Sequence, residues 1–227
     1  YEIRPRDWSS DVCSSDLFNF VSIRDGRAAI VDVTAEHTNL KGQIPVPQFG
    51  TVIASPSRPE IYTGDTYYSR LTRGERTDVV TIWDTATLLP KGEVILPGAK
   101  RGQMVTIKNG FQLLNDDRWL LVFGFTPGAS VYVVDLDQRK VVNDIAIPGC
   151  SMMYPTGKLA FSTLCADGTL STVTLDAAAQ VVSTVTTPAP VNDLDHDPMF
   201  MMPARVGGLS WFRSEEHTSE LQSHGLI

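Results

Sequence analysis

Four stretches of this chain end in the same way. "AAIVD", "VTIWD", "VYVVD" and "TVTLD" close at Asp32, Asp84, Asp135 and Asp176, and each is followed by a polar turn, a second β-rich run and a proline (Pro45, Pro97, Pro148, Pro188). The Asp-to-Pro spacing is 13, 13, 13 and 12 residues, and the Asp-to-Asp interval is 52, 51 and 41. An Asp carboxylate can accept hydrogen bonds from the backbone of the turn that follows it, and a proline stops the outer strand from pairing further. A hairpin-terminated unit of about 40–50 residues is the pattern of β-propeller blades, which bury their faces only against neighbouring blades. The expected fold is therefore all-β, a β-propeller fragment of about four blades forming an arc of a larger ring. A β-sandwich of meander hairpins is the alternative, but a sandwich does not require such regular intervals.

The two ends break the pattern. Back-translated, Arg213 to Ser223 ("RSEEHTSELQS") gives a DNA whose complementary strand, read in a shifted frame, encodes "DWSSDVCSSDL", the sequence of Asp7 to Leu17. Folding does not select opposite-strand coding at two ends of a protein. Residues 1–17 and 213–227 are thus expected to be sequencing-adapter-derived and not native. That leaves 18–212 as the partial propeller domain, with the flanks exposed and making few contacts to it.

Within 18–212 there are 16 Lys and Arg against 19 Asp and Glu, a mildly acidic balance. It offers no footprint for nucleic acid or an anionic membrane surface, and no apolar run is long enough to span a bilayer. No Cys-x-x-Cys, His-Glu-x-x-His, Gly-x-Ser-x-Gly or phosphate-cradling loop occurs, and the two histidines, His37 and His196, fall in different repeats. The stretch thus carries no catalytic residues of its own. Trp83, Trp119 and Trp211 read as core residues. Asp193, Asp195 and Asp197 alternate like the start of a calcium loop, but no Gly stands at the sixth position and Ala204 occupies the place of the bidentate Glu, so no metal site is expected.

Cys150 and Cys165 are the only cysteines outside the flanks. Their even count, strand-edge positions and wide spacing favour a structural disulfide, with Cα atoms within the usual 4.4–6.8 Å, over a redox pair. Two buried free thiols in a cytosolic protein are the alternative.

The middle of the chain resembles a known family. "YYSRLTRGERTDVVTIWDTATLLPKGEVILP" (67–97), and above all its core from Arg70 to Asp84, is similar to the heavy subunit of the quinoprotein amine dehydrogenases, the methylamine and aromatic amine dehydrogenases. "GC" at 149–150, "CADGTLSTVTL" (165–175) and "DPMFMMPA" (197–204) match further segments of that family in the same order. The resemblance implies a seven-bladed propeller in the periplasm, paired as a heterotetramer of two heavy and two light chains. The light subunit would carry tryptophan tryptophylquinone, this chain no cofactor. A primary amine would be oxidised to aldehyde and ammonia, and electrons would pass to a blue copper protein of the azurin or amicyanin type. The heavy chain would be scaffold and channel wall.

Carried onto this sequence, the resemblance makes Phe49 a candidate for the wall of the substrate channel at the light-subunit contact. It makes the loop bearing Arg70, Arg73 and Arg76 a candidate subunit-facing element. Core packing is the other reading of Phe49, and a self-paired solvated loop the other reading of the arginines. For the whole chain the alternative is a stand-alone YVTN-type propeller that binds without enzyme activity. A propeller hydrolase would need His, Asp and Glu ligands along the axis, which this stretch does not supply.

Overall fold

The structure, a computed structural model, describes residues 26–214 apart from 36, 38, 48, 104–106 and 207–208, together with the backbone of 224–226. The strands run in chain order. A hairpin of β1 (Arg27–Val31) and β2 (Leu40–Pro45) comes first. Three four-stranded antiparallel sheets follow: β3 (Thr51–Ala54), β4 (Glu60–Arg70), β5 (Arg73–Asp84), β6 (Pro90–Leu96); β7 (Phe111–Leu114), β8 (Trp119–Gly124), β9 (Ser130–Asp135), β10 (Lys140–Ala146); and β11 (Cys150–Pro155), β12 (Ala160–Cys165), β13 (Leu170–Leu175), β14 (Val181–Thr186). A three-stranded sheet of β15 (Ala204–Val206), β16 (Leu209–Phe212) and β17 (His224–Leu226) ends the order. Neighbours in each sheet are neighbours in sequence, as in propeller blades, and the four Asp-to-Pro hairpins are the outer strand pairs.

The aspartates do what the turns require of them. Asp32 Oδ1 accepts the amide and hydroxyl of Thr34, Asp84 Oδ1 the amides of Ala86 and Thr87, Asp135 Oδ1 those of Asp137 and Gln138, and Asp176 Oδ1 those of Ala178 and Gln180. The hydroxyl of Thr34, helped by Lys41, holds the Asp32 carboxyl down at about 2. The spacing to the first proline needs one correction. By strand register, Ala28 faces Ile44 as Val80 faces Val94 and Val131 faces Ile145, so the equivalent of Pro97 and Pro148 is Pro47, not Pro45. The first turn is simply longer: Asp32 N–H reaches Asn39 O, whereas Asp84 N–H reaches Leu89 O.

The core lies between sheets, not within one. Ala28, Ile44, Ile61 and Trp83 join the first hairpin to the first full sheet; Tyr62, Val80, Phe111 and Tyr132 join the first to the second; Trp119, Val133, Phe161 and Val173 join the second to the third. Tyr154, Leu164, Leu170 and Phe212 begin the next seam. Each of these side chains is withdrawn from water by a neighbouring unit, which is why a single blade is not a stable object.

Residues 1–17 lie outside the described residues. The expectation of few contacts from 213–227 is not met where that stretch is described. Arg213 O accepts the amide of Phe200, its guanidinium lies over the Phe200 ring, Ser214 bridges Met199, and β17 pairs with β16. The open edge of β16 supplies unpaired backbone groups that such a segment can satisfy.

Candidate functional site

β4 and β5 outgrow their sheet. β3 pairs with Ile61–Gly64 and β6 with Asp78–Trp83, so from Tyr67 to Thr77 the two strands continue as a ribbon with no flanking strand among the described residues. Arg70 faces Arg73 across the tip, where Leu71 and Gly74 take positive φ of 63° and 99°. Arg70, Leu71, Arg73 and Glu75 are exposed, and Tyr67 is partly so. A two-stranded hairpin alone is marginal in water. This one is held at its base, by Tyr68 Oη donating to Gln103 Oε1 at 2.8 Å and by Arg76 turning back toward the sheet.

Arg76 forks onto Asp78, Nε to Oδ1 and Nη2 to Oδ2, both at 2.9 Å. Asp78 is fully buried, and its carboxylate accepts two more bonds, from Thr66 Oγ1 at 2.6 Å and from the Arg101 amide at 3.0 Å. Every lone-pair direction of this buried anion is thus used, which is the condition for burying a charge without large loss. The Arg101 side chain is buried too. Its Nε and Nη2 donate to Thr66 Oγ1 at 3.0 and 2.8 Å, and its Nη1 donates to the carbonyl of Phe49 at 3.0 Å. Its backbone bridges Gly124 of the second sheet. Burial lowers the Arg101 guanidinium to about 10 against the pull of Asp78 and Asp65.

Phe49 occupies the turn leading into β3 with φ 56°, left-handed backbone that a bulky residue adopts at a cost of about 1–2 kcal/mol. Gly50 beside it permits the close approach: a Cβ there would lie 2.2 Å from Val46 Cγ1. The Phe49 side chain is half-buried and belongs to none of the four apolar clusters of the described residues. Of the candidates named from sequence, the structure joins Phe49 and Arg76 through Arg101, whose carbonyl accepts from Arg76 Nη2. Arg70 and Arg73 stay apart at the ribbon tip.

Sequence reasoning missed two residues. Arg101 sits in "GAKRGQ", which reads as a solvated connection, and the only clue was a charge cluster just after an outer-strand proline. Asp65 interrupts the strand "EIYTGDTYY". It is wholly buried, accepts Thr63 and Thr81 hydroxyls on Oδ2 at 2.8 Å each, and has no partner on Oδ1 among the described residues. Burial pushes its carboxyl up to about 6, opposed by those hydroxyls and by Arg101.

With this geometry in view, comparison with known proteins is decisive over most of the chain. The family model of the methylamine dehydrogenase heavy chain (MADH) matches residues 25–215. The chain belongs to the methylamine dehydrogenase heavy chain family. It is 32% identical over 147 residues to the methylamine dehydrogenase heavy chain of Paracoccus versutus, covering 64% of this chain and 34% of that one. To the heavy chain of Methylophilus methylotrophus it is 28% identical over 152 residues, 66% of this chain and 37% of that one. The chain thus spans about a third of the length of the curated relatives it matches. Among solved structures, it is similar to dihydro-heme d1 dehydrogenase NirN in complex with DHE, with a TM-score of 0.52 and 14% identity over 88% of this chain and 42% of that one. A complex of KlAtg21 with the coiled-coil of AgAtg16 gives a TM-score of 0.50 at 10% identity over 88% and 64%. At such identities the likeness is one of fold alone.

In this heavy-chain segment Cys150 and Cys165 are bonded, as their directly opposed register on β11 and β12 allows. Their Cα atoms are 3.8 Å apart, closer than the range expected from sequence and closer than the about 4.5–5.5 Å of residues opposed across an antiparallel pair. The disulfide lies at the same end of the sheets as the Phe49 turn, the opposite end from the aspartate turns. Trp83, Trp119 and Trp211 stand on three different sheets, the first two buried and Trp211 half-buried. Among the described residues no three His, Cys, Asp or Glu gather as a metal site. Asp193 Oδ1 is engaged by the amides of Asp195 and His196 as an ordinary polar turn.

Proposed function

We propose that the full-length protein is the non-catalytic heavy subunit of a periplasmic amine dehydrogenase, the scaffold and channel wall for a light subunit that oxidises primary amines. The single observation that carries this reading is the heavy-chain family match over residues 25–215. In the proposed reaction a primary amine and water give aldehyde and ammonia, with two electrons and two protons released. Tryptophan tryptophylquinone in the light subunit supplies the oxidant, and a blue copper protein of the azurin or amicyanin type takes the electrons one at a time. The assembly would hold two heavy and two light chains. The Cys150–Cys165 disulfide fits an oxidising compartment such as the periplasm.

This chain's own part is binding and access. Phe49, half-buried on a turn held by Arg101, serves as an apolar wall of the amine channel. The β4–β5 ribbon, with Arg70 and Arg73 at its tip and Arg76 at its base, serves as the subunit-facing element. Tyr and Arg are among the residue types enriched at interface centres. The test is reconstitution of the full-length heavy chain with the light subunit, read by amine-dependent dye reduction. Activity is expected only with both subunits. Turnover by the heavy chain alone would overturn the scaffold reading, and Phe49→Ala with unchanged kinetics for amines of every size would remove Phe49 from the channel.

A further inference from the structure

The residue that fixes Phe49 is not a neighbour in sequence. A left-handed Phe turn has no strand pairing of its own at Phe49, and its backbone carbonyl is held by a guanidinium from a connection 52 residues later. That guanidinium is itself positioned on every side. Thr66 Oγ1 accepts from Nε and Nη2 and donates to Asp78 Oδ1, so the hydroxyl uses both lone pairs and its single proton. Asp78 is locked by the Arg76 fork, and Arg101's own backbone is tied to Asp78 and bridged to Gly124. We infer that Arg101 is a positioning residue for amine selectivity, a strut that spans the seam between the first and second full sheets and sets where the Phe49 side chain stands.

The inference rests on the proposed channel role of Phe49. Its physical core, that Arg101 orders the Phe49 turn, is separable from it. Guanidinium geometry is needed here. The acceptors Thr66 Oγ1 and Phe49 O are met by different nitrogens of one rigid fork, and a lysine ammonium keeps the charge beside Asp78 without spanning both acceptors.

The experiment uses the full-length heavy chain, free and assembled with its light subunit, as wild type, Arg101→Lys and Phe49→Ala. In the free heavy chain, Arg101→Lys is expected to speed hydrogen exchange of the Phe49 and Gly50 amides at least tenfold while Val80 and Val133 in the sheet cores are unchanged. In the assembled enzyme it is expected to shift the ratio of kcat/KM between a small and a bulky primary amine at least threefold, in the same direction as Phe49→Ala. Unchanged exchange at Phe49 and Gly50 overturns the strut. Faster exchange with unchanged selectivity, where Phe49→Ala does alter selectivity, overturns the specificity role alone. No selectivity change in Phe49→Ala sinks the channel reading and the specificity role with it, while exchange still reports on the strut. If Arg101→Lys fails to fold, Thr66→Val removes the acceptor of two guanidinium bonds with Arg101 in place, and the same outcomes apply.

Discussion

Val94 and Val185 hold the same position, three residues before the proline that ends the outer strand, yet Val94 is 3% exposed and Val185 64%. Val94 is covered by the second full sheet. Among the described residues, the sheet that follows Val185 packs on the inner strands, where Phe212 meets Tyr154, Leu164 and Leu170. An uncovered valine at a seam is a sticky site of about 1.5–3 kcal/mol once buried. The 227-residue chain on its own should therefore self-associate, and Val185→Lys should reduce that association with little change in the chain's melting. Sedimentation at several concentrations checks it, and a monodisperse wild-type monomer would count against the open-seam account.

Asp65 predicts an unusual pH dependence. Its folded-state carboxyl, at about 6, lies above the ordinary 3.8, so above both values the ionised group opposes folding, and the penalty disappears as pH falls through 6 toward 4. The gap corresponds to about 3 kcal/mol. Asp65→Asn should raise the melting temperature of the full-length protein at pH 8, and the gain should fade by pH 4. A destabilised variant at pH 8 would mean that the ionised carboxylate is needed by Arg101 more than burial penalises it.

Reduction of Cys150–Cys165 reopens a short loop, for which chain entropy gives about 3 kcal/mol. The Cys150→Ser, Cys165→Ser double variant should melt lower by several degrees. Mass spectrometry of unreduced protein should show no alkylation at either position. Two freely alkylated thiols in unreduced full-length protein would refute the bond.

The ribbon tip tests the subunit-facing role. Leu71 is 78% exposed, so Leu71→Ala and Arg73→Glu should leave melting unchanged to within about 0.5 kcal/mol. Heavy–light assembly should weaken about tenfold, and for Arg73 the loss should be salt-dependent. Unchanged assembly in titration calorimetry would return the ribbon to solvent.

The flanks make a prediction about DNA. If residues 1–17 and 213–227 derive from adapter, independent reads of the source genome should run through both junctions with different codons. Recovery of both stretches in such reads would make them part of the native chain.

The outer hairpins were legible in the sequence because their chemistry is local: an Asp and the amides two to four residues after it. The same locality explains the misplaced first proline. Pro45 and Pro47 are both near enough to end a strand, and only register against β1 tells them apart, through a turn two residues longer than its counterpart after Asp84. Phe49 and the arginines of the ribbon could be named but not connected. Their connection runs through Arg101 over sequence separations of 52 and 25 residues. Whether a charge is buried depends on which distant groups surround it, and no window of sequence around "AKRGQ" or "TGDTY" contains them.

That separation also sets an order in time. The first hairpin and β3 to β6 are complete before residue 101 leaves the ribosome, but the Phe49 carbonyl has to wait for it. At translation rates of about 5–20 residues per second, the 52 residues between them amount to about 3–10 s. Through that interval β3 to β6 emerge while the turn still lacks its clamp. The nascent chain acquires the strands of its first hairpin and first full sheet before its fixed Phe49.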